Sequence, residues 1–146
     1  MTVVSLLIAS FVELGLTFPG GGLEQEVNIG KFLEVSYQVV SIRKLCFSSY
    51  ARLSRYPAIT SSFSVNHATV GFSIGSTVKI LGLSGTLGIG LGIMKSSENI
   101  LNCEIYPTLK RAIFSDFPLY FTIGVPLMFF NNITLYAINT GILFSI

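Results

Sequence analysis

Residues 71–94, GFSIGSTVKILGLSGTLGIGLGIM, form an apolar run whose one charge is Lys79. The run holds seven glycines, and in water each would cost a helix about 1 kcal/mol relative to alanine. In a membrane, small residues instead let helices approach closely, and this packing replaces the missing hydrophobic drive. Lys79 is tolerated if it lies near the helix end and reaches the interface. We therefore predict a membrane helix over residues 71–94.

A second apolar run covers residues 117–146, FPLYFTIGVPLMFFNNITLYAINTGILFSI, and contains no Asp, Glu, Lys, Arg or His. A helix of that length would span about 45 Å, and a hydrocarbon core of about 30 Å needs only about 20 residues. Pro126 would bend this helix, which membrane helices tolerate. A charged loop at residues 95–116 separates the two runs. The predicted fold is an all-α membrane protein with a C-terminal two-helix transmembrane hairpin.

The composition of the 146-residue chain also favours a membrane protein. Hydrophobic residues make up 51% and charged residues 11%, against about 25% charged residues in a soluble domain. This apolar content excludes disorder, and scattered basic residues with a net charge of +2 predict no nucleic-acid-binding surface. Cys46 and Cys103 form no CxxC pattern, and His67 is the lone histidine. We therefore expect no metal, no cofactor and no catalytic residues.

The first third of the chain has the composition of a leader. Residues 3–18, VVSLLIASFVELGLTF, are apolar except for Glu13 but short for a membrane span, and the breaker sequence Pro19–Gly22 follows them. Arginine and serine are frequent between Ser36 and Ser64, where acidic residues are absent, as is typical of organellar transit peptides. The prediction is a leader or transit-like region over residues 1–67, with a short apolar helix at 3–18 as one option for its start.

Three local patterns in residues 68–146 point to one family. They are a ladder of glycines, a polar loop with a proline and a basic pair, and one apolar helix after the loop. The ladder is Gly85, Gly88, Gly90 and Gly92, and the loop residues are Tyr106, Pro107, Lys110 and Arg111. The arrangement resembles the membrane subunit c, or proteolipid, of the F-type (mitochondrial) ATP synthase. In that family the small residues pack the inner helices of a ring, although residues two apart do not share one helix face.

The resemblance implies a subunit c-like proteolipid of a proton-translocating membrane sector in the mitochondrial inner membrane, with no catalytic site of its own. The implied partners are the lipid bilayer and copies of itself or other ATP synthase membrane subunits. The family's proton-carrying carboxylate would fall on Val125, and residues 117–146 contain no acid. Asp116 is the fallback, but it lies beside the polar loop, where water hydrates it. The resemblance therefore implies a degenerate proton site.

Two other functions stay open on the sequence alone. Lys79, Asn131 and Asn132 occupy positions where a working ring needs apolar or small residues. These polar residues favour a small structural accessory membrane subunit of another organellar complex, or a diverged copy without function.

Overall fold

The computed structural model describes residues 4–5, 9–60, 62–76 and 78–146. These residues form ten β-strands and a short 3-10 helix at Leu23–Gln25. The strands are β1 (Val4–Ser5), β2 (Ala9–Gly20), β3 (Gly30–Ile42), β4 (Leu45–Pro57), β5 (Ser64–Ser76), β6 (Leu83–Lys95), β7 (Asn99–Ala112), β8 (Leu119–Gly124), β9 (Leu127–Phe129) and β10 (Thr134–Ser145).

The strands form one antiparallel sheet that closes on itself as an up-and-down barrel. From β2 to β8, each strand pairs with the next one along the chain, and β10 returns to pair with β2. β1 continues the line of β2 along β3, and β8 and β9 together form one interrupted strand between β7 and β10. The described residues therefore supply eight strand positions around the barrel.

The barrel has two different ends. At one end, which we call the termini end, lie the start of β2, the end of β10 and three turns. At the other, which we call the plug end, β2 and β3 are joined by a longer segment that includes the 3-10 helix. The turns at the termini end include 43–44, 78–82 and 113–118, and the connections at the plug end include 21–29, 58–60, 62–63, 96–98 and 130–133.

The predicted helix at residues 71–94 is wrong, because these residues belong to β5, a turn and β6. On β6, Gly88, Gly90 and Gly92 face the interior, while leucine and isoleucine at the intervening positions are exposed. A period of two belongs to a strand, whereas one face of a helix repeats every three to four residues. The glycine spacing that fits no single helix face is therefore explained by a strand.

The predicted helix at residues 117–146 is also wrong, because this run contains β8, β9 and β10. The break between β8 and β9 falls at Val125 and Pro126, where proline cannot donate a hydrogen bond to a sheet. The turn before β10 contains Asn131 and Asn132, residues that favour turns. No helix in the described part of the chain is long and apolar enough to cross a membrane.

The residues assigned to a polar loop at 95–116 lie mostly in β7. Pro107 is tolerated in this inner strand because it stands opposite the break between β8 and β9, and its carbonyl accepts a hydrogen bond from the Val125 N–H at 3.0 Å. In an antiparallel pair the N–H and C=O of one residue face the same neighbour. The backbone N–H that Pro107 lacks would therefore point at the break between β8 and β9, where the hydrogen-bond ladder is interrupted.

The helix considered at residues 3–18 is not formed where the structure describes it. Residues 4–5 and 9–18 are strand, while residues 1–3 and 6–8 lie outside the described part. Residues 9–60 of the predicted leader supply β2, β3 and β4 of the same sheet. The boundary predicted between residues 67 and 68 falls within β5.

Candidate functional site

The outer face of the barrel is apolar on every long strand. Large side chains there are exposed to a degree unusual for a folded chain in water, with Phe72 74% and Leu91 66% exposed. Others on the same face include Leu14, Leu16, Leu33, Val35, Leu53, Val70, Ile89, Ile93, Ile105, Leu109, Phe121, Ile123 and Ile138. Monomeric proteins in water rarely expose continuous apolar areas beyond a few hundred Å². The outer face is therefore suited to an apolar environment.

The interior holds the charged groups instead. The guanidinium of Arg52, on β4, is buried and makes an ion pair with the carboxylate of Glu104, on β7. Its Nη1 lies 3.5 Å from Oε2 of Glu34, the residue directly across the β3–β4 ladder. Lone buried charges are strongly unfavourable, whereas paired and hydrogen-bonded ones are tolerated. One arginine thus links three strands through the barrel interior.

Two tyrosines enclose this arginine. The Cζ atom of Arg52 lies 4.2 Å from the ring centroid of Tyr106 and 5.9 Å from that of Tyr50. The Tyr50 hydroxyl donates a hydrogen bond of 3.2 Å to Oε1 of Glu104. A guanidinium within about 6 Å of an aromatic face is stabilised further when water is excluded. The aromatic rings and the carboxylates together hold Arg52 in one position.

A third carboxylate extends the network toward β8. Glu13 is the ladder partner of Glu34 across β2 and β3, and the Thr122 hydroxyl donates a hydrogen bond to its Oε1. Lys110 lies on the same inner face nearer the termini end, with Nζ 5.2 Å from the Tyr120 ring and 5.4 Å from the Phe11 ring. The network therefore contains three carboxylates, one enclosed guanidinium and one ammonium group at its margin.

A cavity of about 70 Å³ lies beside this network on the side of the termini end. Its walls include Glu13, Glu34, Tyr50, Tyr106 and Lys110. Polar walls and this volume suit a small number of water molecules. The interior is thus a packed polar core with a small recess, and it differs from the water-filled lumen of a wide barrel.

His67 belongs to a second polar group closer to the plug end. Its Nε2 lies 2.9 Å from Oδ1 of Asn102 and 3.4 Å from the hydroxyl of Thr69. A Cβ on Gly92 would lie 2.6 Å from that nitrogen and 2.6 Å from the Asn102 oxygen. Glycine at this position therefore makes room for the histidine and its partner.

An apolar cluster closes the plug end. Leu23 and Val27, from the segment between β2 and β3, are 6% and 2% exposed. They meet Tyr56, Met94 and Met128 inside the barrel. Hydrophobic side chains therefore close the barrel interior at this end.

The residues singled out in the sequence lie at several different places. Tyr106 and Lys110 face the interior, whereas Pro107 and Arg111 lie on the outer face of the same strand. Val125 stands in the break between β8 and β9, and Asp116 in an exposed turn. The glycines Gly85, Gly88, Gly90 and Gly92 are all on β6.

Sequence reasoning missed the residues at the centre of the network. Arg52 and Glu34 lie in the predicted leader and Glu104 in the predicted polar loop, so none of the three is predicted as an interior residue. One signal was available in the residues before Pro57, where Tyr50, Arg52, Ser54 and Tyr56 recur at every second position. That spacing places all of them on one face of a strand.

No known family profile matches the sequence, and no curated protein sequence does either. The fold is similar to that of the outer membrane protein Ail of Yersinia pestis, solved in a phospholipid bilayer nanodisc. The TM-score is 0.66 with 9% identity, over 96% of this chain and 100% of that one. It is also similar to Neisserial surface protein A (NspA), with a TM-score of 0.57 and 10% identity, over 97% of this chain and 98% of the other. At these identities the likeness concerns the fold.

The resemblance to ATP synthase subunit c is wrong, because the chain has the fold of these outer membrane β-barrels instead of a helical hairpin. The functions expected with it, a proton-translocating proteolipid or a helical accessory subunit, are wrong for the same reason. So is the location expected for a multi-pass helical protein of the mitochondrial inner membrane. The comparisons give no support to ATP synthase subunits as partners.

Proposed function

We propose that this chain is an integral β-barrel membrane protein of the outer-membrane type, with lipid around its wall and a closed polar core. The observation that carries the proposal is the inverted distribution of polarity. Charged residues such as Arg52 and Glu104 are buried, while leucine, isoleucine, valine and phenylalanine cover the outside. In water this arrangement would expose the apolar groups and bury the charges, both of which are unfavourable.

The barrel geometry fits a bilayer. Within hydrocarbon, backbone groups need internal partners, which a closed barrel provides without free edges. Strands of 13 residues, such as β3 to β6, extend about 43 Å and cover about 30 Å when tilted by about 45°. That height matches the hydrocarbon core. The proposal therefore keeps the lipid bilayer as the expected partner, with strands instead of helices crossing it.

The filled interior favours an anchored barrel over an open pore. The Arg52 network occupies the middle of the barrel, and the cluster around Met128 closes the plug end. Barrels of eight strands have an interior just wide enough for side chains to fill. The proposed role is a stable membrane anchor whose connections at the two ends face the aqueous phases.

The wall can be tested with a spin label at single cysteines. In a background with both Cys46→Ser and Cys103→Ser, Ile89→Cys places the label on the wall and Lys44→Cys places it in a turn at the termini end. In phosphatidylcholine vesicles we expect the label at 89 to collide with oxygen more than with a water-soluble nickel chelate. The label at 44 should show the opposite preference. Equal access of the chelate to both labels would contradict the proposal.

A further inference from the structure

Two basic side chains flank an asparagine on the outer face near the plug end. Across the sheet, Arg55 on β4 pairs with Asn66 on β5, which pairs with Lys95 on β6. All three are exposed on the outer side of the wall. Directly opposite residues in antiparallel strands have Cα atoms about 4.5–5.5 Å apart. The two positive charges therefore flank the amide at a spacing that one phosphate group can bridge.

A groove runs from this polar group along the wall. Its volume is about 520 Å³, and Arg55, Asn66, Lys95 and Asn99 form its polar end. The apolar end is formed by Leu53, Ala68 and Ile93. Ala68 pairs with Leu53 on one side and Ile93 on the other. The small side chain of Ala68 between two larger ones leaves a furrow in the wall.

Arg55 and Lys95 make no ion pair with any residue in the described part of the chain. Every ion pair in the described part of the chain involves Arg52, which is inside the barrel. The acidic residue nearest to Lys95 in sequence is Glu98, which lies in the connection after β6 and is exposed. Basic residues at the edge of an apolar wall attract anionic lipid headgroups, with about 1 kcal/mol for each lysine or arginine. Charge complementarity therefore selects an anionic occupant.

We infer that this groove binds one anionic phospholipid, with the headgroup phosphate between Arg55 and Lys95 and an acyl chain over Ala68. Asn66 and Asn99 donate hydrogen bonds from their side-chain amides to headgroup oxygens. Leu53 and Ile93 contact the chain on its two sides. The inference rests on the proposed function, because only a barrel embedded in lipid presents this face to phospholipids.

The test uses the full chain in bilayers that mix phosphatidylcholine with phosphatidylglycerol. Native mass spectrometry of the released barrel measures which lipid stays bound. We expect phosphatidylglycerol to be retained preferentially, and the double variant R55Q/K95Q to reduce its retention by about tenfold or more. Ala68→Leu should reduce retention without changing charge, because it fills the furrow. The matched control R43Q/K44Q removes two positive charges from the termini end and should leave retention unchanged.

Three outcomes would overturn the inference. Equal retention of both lipids would show that the groove does not select an anion. Equal losses in R55Q/K95Q and R43Q/K44Q would show a general effect of charge. Displacement by inorganic phosphate, with no effect of Ala68→Leu, would assign the site to a free anion. If the label at residue 89 does not enter the bilayer, the proposed function and this inference are both overturned. If the label enters normally and one of these three outcomes is observed, only the inference is overturned.

Discussion

Strands β4 and β6 differ sharply in what they place inside the barrel. The inner face of β4 holds Tyr50, Arg52 and Tyr56, while the inner face of β6 holds Gly88, Gly90 and Gly92. Their outer faces are similar, since both present leucine to the surroundings. The difference shows that different constraints determine the residues on the two faces of the wall. The outside needs only apolar surface, whereas the inside must match large side chains to small ones.

Contacts of Tyr50 show how this matching operates. A Cβ added to Gly90 would lie 2.7 Å from the Tyr50 hydroxyl, and one added to Gly88 would lie 3.0 Å from its Cε1. The tyrosine therefore occupies the space that glycine leaves on β6. From this position it donates its hydrogen bond to Glu104. The inner face of β6 at Gly88, Gly90 and Gly92, which we call the bare face, must therefore lack side chains for the charged network to form.

The largest effect should come from removing the central charge of β4. Arg52→Met leaves the buried carboxylates of Glu104 and Glu34 without their cation. Removing one partner of a buried ion pair typically destabilises a protein by about 3–5 kcal/mol. We expect a loss of about that size in the free energy of unfolding from lipid vesicles in urea. Far-UV circular dichroism is the suitable probe, because the chain contains no tryptophan.

Arg111→Met is the matched control for Arg52→Met. It makes the same chemical change on β7, but Arg111 faces outward, lies outside the proposed lipid groove and has no ion-pair partner among the described residues. Surface changes of this kind usually alter stability by less than about 0.5 kcal/mol. Similar losses in the two variants would show that the interior network does not stabilise the barrel.

A smaller effect should follow from filling the bare face of β6. In Gly90→Val the new side chain would meet the Tyr50 hydroxyl, the Val70 carbonyl oxygen at 2.8 Å and the Thr69 methyl at 3.0 Å. Overpacking of this kind costs about 1–3 kcal/mol. The measurement is again unfolding in urea, and Leu91→Val on the outer face serves as the control. A stability of Gly90→Val equal to that of Leu91→Val would contradict the matching of β4 and β6.

Part of this structure is predictable from the sequence, and the error in the helix prediction has a physical cause. Apolar composition and low charge predicted a folded membrane protein, and the described residues do fold into one closed sheet. The run at residues 83–95 also contained the strand pattern, since glycine and large apolar residues alternate there. Alternation around glycine resembles a small-residue packing motif of membrane helices, and the apolar run was long enough for a span. The length of the run therefore favours a helix, whereas its period favours a strand.

The interior network could not be predicted in the same way. Arg52, Glu104 and Glu34 are separated in sequence, and their immediate neighbours, which are apolar, do not indicate which of these charges meet. Only closure of the barrel brings β3, β4 and β7 around one interior. The groove with Arg55 and Lys95 depends on the register of the strand pairing. A slip of one residue would move these side chains to the other face of the sheet. Local pattern therefore indicates strands, while the contents of the interior follow from their pairing.

The smallest expected effect tests the tyrosine that connects the two strands. Tyr50→Phe keeps the ring that fills the space beside Gly88 and Gly90 but removes the hydrogen bond to Glu104. Because Glu104 keeps its ion pair with Arg52, the loss should be about 1 kcal/mol, the usual net contribution of one hydrogen bond. Tyr136→Phe removes a hydroxyl from a tyrosine of β10 that is 41% exposed, and it should leave the free energy of unfolding unchanged. If Tyr50→Phe is as stable as Tyr136→Phe, then Tyr50 only fills the space beside the glycines. In that case the bare face of β6 serves packing alone, and Arg52 holds Glu104 without the help of the tyrosine.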